Sequence, residues 1–283
     1  MLNSFHISVI GDRHIQENMP CQDYAITVCE KDVAIAIVCD GHGGKPFFRS
    51  DVGAKMAAAS AVEGIRDFIS TVDKTPFAGK NSEEMEETEV TKIFSALFSK
   101  ILKLWLEKIR QHIAENPFAE SEMQCVPEGY RYLFKNTIMM DSAYGTTLLA
   151  YAQCKDYWFA FQIGDGTIML FNNDACSLPI PADESCHDNI TTSMCDPNAL
   201  DEFRYYIDGS GTFPSAAFVC TDGMEKCFRT EEALGGYLYN VSQVLRLGGS
   251  EVLQEKMENL LPKFSHLTSG DDISIACICN NAE

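Results

Sequence analysis

The stretch VAIAIVCDGHGG, Val33 to Gly44, decides how the chain is read. Val33–Cys39 is a continuous run of β-branched and small apolar residues, the pattern of a strand buried on both faces. The run stops at Asp40 and passes into Gly-His-Gly-Gly. A carboxylate and an imidazole therefore stand at the tip of a buried strand, among residues with almost no side chain. Just upstream, DYAITVCE (Asp23–Glu30) is a second strand-like run. Only Lys31-Asp32 separates the two, which predicts a tight antiparallel hairpin.

Working outward, SFHISVIG (Ser4–Gly11) is a further candidate strand. Beyond the glycines the period changes. Val52, Met56, Ala59, Val62, Ile65 and Ile69 recur at spacings of three and four, an amphipathic helix. Thr75–Glu89, with its run EEMEETE, reads as a solvated loop whose acids suit the start of the next helix. That helix carries Val90, Phe94, Leu97, Ile101, Leu104 and Trp105 on one stripe and closes before Pro117. Phe118–Ile138 reads as irregular.

Three strand patterns follow in quick succession: GTTLLAYAQ, DYWFAFQIG and TIMLFN. Asp174–Pro214 reads as a long excursion rather than a sheet element, with a short helix at Pro197–Tyr205; long loops in compact folds tend to be functional. SAAFVCTD is another buried strand. Helices at Glu231–Leu247 and Ser250–Phe264 and the strand DISIACICN close the chain. Strands come in hairpin-like groups, so the expectation is α+β, with antiparallel sheets covered by helices. Nothing in the composition splits the chain, and 1–283 is read as a single domain.

Composition narrows the function. With 22 Lys+Arg against 41 Asp+Glu the net charge is −19, which repels phosphate backbones and anionic lipid, so neither nucleic acid nor membrane is expected as partner. No window approaches the ~18 apolar residues of a membrane span. The start, MLNSFHISVIGDRH, has no secretory pattern. The twelve cysteines include no C-x-x-C pair, and several sit inside apolar runs as small buried hydrophobes. Reduced thiols in a cytoplasmic protein are the expectation.

The strand ends carry the chemistry. VAIAIVC ends on Asp40-Gly41, FAFQIG on Asp165-Gly166 and AAFVCT on Asp222-Gly223, while the last strand begins at Gly270-Asp271-Asp272. Asp-Gly is a good turn, and each site alone reads as one. Four on separate buried strands suggest convergence. Two like charges 4 Å apart repel by roughly 4 kcal/mol at an effective dielectric near 20, so such a group needs a cation. Oxygen ligands select Mg²⁺ or Mn²⁺ rather than zinc.

At this point the chain resembles the metal-dependent serine/threonine protein phosphatases of type 2C. The ordered motifs are CQD (Cys21–Asp23), DGHGG (Asp40–Gly44), GTT (Gly145–Thr147), IGDG (Ile163–Gly166), TDG (Thr221–Gly223) and GDDIS (Gly270–Ser274). CQDY together with GDRH is most similar to a bacterial branch. The resemblance implies a four-layer αββα sandwich, two antiparallel sheets flanked by pairs of helices, and a centre of two Mg²⁺ or Mn²⁺ ions.

Carried over by motif, Asp40 bridges both ions, the Gly41 carbonyl binds one, and Asp222 and Asp271 bind the other. Asp23 acts in the outer shell through water, with Gln22 where many members have Glu. The resemblance further implies that a hydroxide bridging the metals would attack phosphoserine or phosphothreonine in phosphorylated protein substrates, with His42 protonating the leaving oxygen as general acid. Position 18, where many members carry a phosphate-binding arginine, is Asn; Arg13 is the substitute candidate, against a plain surface arginine, and His14 is a further one.

Asp141 is the candidate for a third, weaker metal, against a loop acid before a strand. Asp165 is read as a structural acid in its turn. The segment 174–214 corresponds to the family's flap, where Arg204, Tyr205 and Tyr206 are read as packing residues in preference to substrate contacts. Two rival functions stay open: a catalytically silent relative that binds a phosphorylated partner, and a hydrolase of small phosphate esters.

Overall fold

The computed structural model describes residues 2–135, 139–186 and 190–280. The chain runs β1 (Leu2–Val9), α1 (Asp12–Glu17), β2 (Tyr24–Glu30), β3 (Val33–Cys39), α2 (Ser50–Thr71), α3 (Glu87–Glu115), α4 (Glu120–Cys125) and α5 (Arg131–Lys135). It continues through β4 (Leu148–Cys154), β5 (Trp158–Ile163), β6 (Thr167–Asn172), β7 (Ala175–Ser177), α6 (Ala199–Glu202) and β8 (Arg204–Asp208). Then come β9 (Ala216–Cys220), α7 (Asp222–Glu225), α8 (Glu231–Leu267) and β10 (Ile273–Asn280). The predicted hairpin is present, with Glu30 opposite Val33 across its turn.

Two five-stranded antiparallel sheets result, in the orders β1-β10-β9-β6-β7 and β2-β3-β4-β5-β8. Alternation along the strands builds the layers. In β3, Ile35, Ile37 and Cys39 face α2 and α3, whereas Ala34, Ala36 and Val38 face the other sheet. In β10, Ile273, Ile275, Cys277 and Cys279 face α8, and Ala276 and Ile278 turn inward.

The inter-sheet layer is rich in alanine: Ala25, Ala34, Ala36, Ala160, Ala217 and Ala276. Small residues there let the two sheets pack closely. The larger side chains go to the outer interfaces, where α3 buries Trp105 completely and its indole N–H donates to the Gly53 carbonyl at 3.1 Å. Full burial of a large apolar side chain is worth ~2–3 kcal/mol.

Three expectations change. The irregular Phe118–Ile138 contains the short helices α4 and α5; Asn136–Ile138 lie outside the described residues. The excursion 174–214 contributes two edge strands, β7 and β8, although His187–Asn189 are again outside the described residues. The helix expected at Pro197–Tyr205 is only α6, because Arg204–Asp208 alternates as a strand. There Tyr205 stacks on Phe94 among the helices and Tyr206 stacks on Trp158 on the opposite face. The two expected C-terminal helices are the arms of α8, broken where Gly249 adopts φ 79°.

No helix among the described residues is long and apolar enough to cross a membrane. All twelve cysteines are unpaired.

Candidate active site

At one edge of the sandwich the chain passes between the sheets, from β1 to β2 and from β5 to β6. Here a cleft of about 690 Å³ is lined by Asp23, Asp40, Asp165, Asp222 and Asp271, with Arg13, Gln22, Gly41 and His42. Asp40 comes from the β3 end in one sheet; Asp222 follows β9 and Asp271 precedes β10 in the other. Asp165, expected as a structural acid, stands in the same wall, and its charge raises the pKa of Asp40 and Asp222.

Backbone bonds hold the tip of β3. The Asp40 amide donates to Thr147 Oγ1 at 2.9 Å, and its carbonyl accepts from the Thr147 amide at 2.9 Å and from Thr146 Oγ1 at 2.9 Å. The GTT motif is thus a clamp on the acid's backbone. The adjacent glycine serves close approach. A Cβ on Gly41 would lie 2.5 Å from the Gln22 carbonyl oxygen, and one on Gly223 would lie 1.9 Å from that of Asp272. These Asp-Gly sites are where backbone from another strand end passes, and a side chain would push the acids apart.

The paired acids before β10 divide their work. Asp272 is buried and accepts the amides of Gly11 and Gln22, both at 2.6 Å, and lies 2.9 Å from His14 Nδ1. Burial alone would raise its pKa, but the His14 contact and the two amides outweigh that and hold it below the usual value. It therefore fastens the β1–β2 crossing to β10 and engages His14. Asp271 points to the cleft, where Lys226 meets it.

Asp23 is buried as well, accepting the Thr221 hydroxyl at 2.8 Å. Beside it, Gln22 Nε2 donates to Ser50 Oγ at 2.8 Å, while its buried Oε1 has no hydrogen-bond partner.

Burial, then the charges of Asp23, Asp222, Asp271 and Asp165, drive the pKa of Asp40 well up. Lys226 answers part of this field: its Nζ lies 2.5 Å from Asp222 Oδ2 and 2.8 Å from Asp271 Oδ2. Partial burial opposes the ammonium, but the two carboxylates prevail and raise its pKa. Among the described residues no three His, Cys, Asp or Glu side chains converge as a metal cluster. The donor set nonetheless suits a hard divalent cation, being carboxylates and a carbonyl. An ammonium already stands between two of them, and an orphaned amide oxygen lies beside them.

His42 also lines the cleft. Burial lowers its pKa to about 4, and Nε2 lies 2.6 Å from Ser193 Oγ. Arg13 is exposed at the rim; Nη2 donates to the Ser269 carbonyl at 2.8 Å.

Asp141 does not line the cleft. It caps the turn Ser142–Tyr144, its carboxylate accepting the Ser142 amide. Arg204 ties the excursion to the turn after β5, pairing with Asp183 at 3.3 Å and donating to the Gly164 carbonyl.

Sequence reasoning missed Lys226, Ser193 and the buried Arg49. That guanidinium grips Glu122 through two bonds of 2.7 and 2.9 Å, Tyr144 Oη at 2.8 Å and the Asn116 carbonyl at 2.8 Å, behind the DGHGG loop.

A family model described as Protein phosphatase 2C matches residues 10–262. The chain belongs to the protein phosphatase 2C family. No curated protein sequence matches it. The serine/threonine phosphatase of S. agalactiae is similar in structure, with TM-score 0.57 and 17% identity over 99% of this chain and 100% of that one. The serine/threonine phosphatase Stp1 from Staphylococcus aureus gives 0.57 at 14% identity, covering 100% and 96%. The catalytic domain of the serine/threonine protein phosphatase PstP, solved with two manganese ions, gives 0.54 at 11% identity, covering 98% and 97%. At such identities the likeness is one of fold. Family membership makes this chain a phosphatase of the protein phosphatase 2C type.

Proposed function

We propose that this chain is a metal-dependent phosphatase of phosphoserine and phosphothreonine in proteins, built as one catalytic domain with residues 174–214 as its flap. The observation that carries the reading is the meeting of Asp40, Asp222 and Asp271 from two sheets in a cleft that also holds His42. Asp40, Asp222, Asp271 and the Gly41 carbonyl are the residues that would hold two Mg²⁺ or Mn²⁺ ions, with Asp23 and Gln22 behind them through water. When bound, such ions supply positive charge that activates water and steadies the phosphoryl oxygens.

The chain's own groups do the rest. Arg13, exposed at the rim, exchanges its bond to the Ser269 carbonyl for the incoming phosphate, which it meets as a bidentate donor. His42 enters as a neutral imidazole because burial holds its pKa near 4. A phosphate dianion beside it favours the charged ring, so substrate itself arms His42 to protonate the leaving oxygen. Ser193 orients that ring. Asp141 has no part in the proposal, since its carboxylate serves as a cap. The unpaired thiols favour a cytoplasmic setting.

The test is phosphate release from a phosphothreonine peptide and from an aryl phosphate, with Mn²⁺ and then with excess chelator. Metal-dependent turnover of the peptide is expected, and Asp222→Asn should abolish it. Turnover confined to small esters would favour the ester hydrolase, and binding of the peptide without turnover would favour the silent relative.

A further inference from the structure

Lys226 has no place in the chemistry above, yet it occupies the middle of the site. It directly follows α7, and its amide donates to the Asp222 carbonyl at 2.9 Å, so its stem rises beside Asp222. Its ammonium contacts carboxylate oxygens from two separate elements, at 2.5 Å on Asp222 and 2.8 Å on Asp271.

We propose that Lys226 is a built-in counter-ion that holds Asp222 and Asp271 in the metal-free protein and must withdraw before a divalent cation can take those two acids. The inference rests on the metal-dependent reading above.

Three observations support it. Two carboxylates brought together by different strands repel, and the ammonium offsets that repulsion without any metal. Both carboxylates that Lys226 touches are ones proposed to hold a cation, so the ammonium and the cation compete for them. The side chain also has somewhere to go. Lys226 lies at the boundary with a second pocket of about 290 Å³, lined by Asp165, Glu225 and Gln162. In that pocket the buried Oε1 of Glu225 has no hydrogen-bond partner. Displaced by a metal, the ammonium would have the unpartnered Glu225 Oε1 as a hydrogen-bond acceptor.

A cation that must first dislodge an ammonium binds more weakly than one entering free carboxylates. Removing the charge while keeping the stem should therefore tighten metal binding. The ion pair is 42% exposed on the lysine side, so solvent screening limits the gain. The expected effect is roughly tenfold in Kd, which corresponds to ~1.4 kcal/mol.

The experiment is Mn²⁺ titration of the metal-stripped full chain, following free Mn²⁺ by electron paramagnetic resonance, for wild type, Lys226→Met and Lys226→Arg. Lys226→Met should bind one Mn²⁺ about tenfold tighter and Lys226→Arg should stay near wild type. Thermal melts should move in opposite senses, Lys226→Met melting lower than wild type without metal and at least as high with saturating Mn²⁺. Should Lys226→Met not fold, Lys226→Gln takes its place in the same titration. Mn²⁺ binding of equal or lower affinity in the uncharged variant overturns the counter-ion role and leaves the metal centre standing. No Mn²⁺ binding by any of the proteins overturns both.

Discussion

The Ser193 hydroxyl stands 2.6 Å from Nε2 of His42, joining the 174–214 segment to the tip of β3. The same hydroxyl lies 3.3 Å from the Thr146 carbonyl, to which it donates. Its lone pairs are thereby left to accept an Nε2–H of the imidazole. The flap-like segment thus contributes a hydroxyl that orients the ring.

Ser193→Ala should lower kcat with little change in KM. A hydrogen bond of this kind is worth ~0.5–1.5 kcal/mol net, or about a two- to tenfold loss. Steady-state kinetics on a phosphothreonine peptide check it; an unchanged kcat would show that the hydroxyl does not position His42.

Acid sensitivity should trace in part to His42. Its pKa is about 4 in the folded protein against an ordinary 6.5. The unfolded ring takes its proton near pH 6.5 and the folded ring only near pH 4. The stability this group contributes is therefore complete above pH 6.5 and is lost as pH falls through that window, up to ~3 kcal/mol. Urea unfolding of metal-free protein at pH 7 and 4.5 should show a smaller drop for His42→Gln than for wild type. Equal drops would mean that folding does not hold the ring neutral.

The two acids before β10 should respond differently to the same change. Asp272→Asn forfeits an ionised acceptor for two amides and His14 and should destabilise the fold by ~2–3 kcal/mol. Asp271→Asn should leave urea stability nearly unchanged and weaken Mn²⁺ binding at least tenfold. If the pattern reversed, the ligand would be Asp272 and the fastening acid Asp271.

Arg49→Met should cost about 3 kcal/mol, because Glu122 and Tyr144 lose a buried partner while only the apolar stem is kept. Thermal unfolding checks it. A change within ~0.5 kcal/mol, ordinary for a surface site, would mean the ion pair is as weak as an exposed one.

The fold was largely legible because its signals are local. The continuous apolar run Val33–Cys39 and the helical stripe through Phe94 and Trp105 need no knowledge of distant residues. The acids were legible for a related reason: a buried run that ends on Asp-Gly stands out against its own strand. The remainder depended on contacts between distant segments. Lys226 reads in sequence as an ordinary cation after a short helix, and only the arrival of Asp271, forty-five positions on, gives it a role. Ser193 lies in a polar stretch without periodicity. Arg204–Asp208 is too short for its alternation to compete with the helical reading, and its strand character comes from pairing with β5.

The placement of the acids has a consequence for how the enzyme comes into being. Asp40 belongs to one sheet, Asp222 and Asp271 to the other, and the alanine layer is the seam that brings them within reach. Asp222 and Asp271 flank neighbouring strands of one sheet, while Asp40, which would join the two ions, comes only from the other. On the proposed ligand set, a refolding chain therefore completes the two-ion site only when the seam closes, in a topology rich in long-range pairings. Metal in the refolding buffer should then leave the folding rate unchanged and slow unfolding alone, making the ion a lock on the finished enzyme and not a template for it.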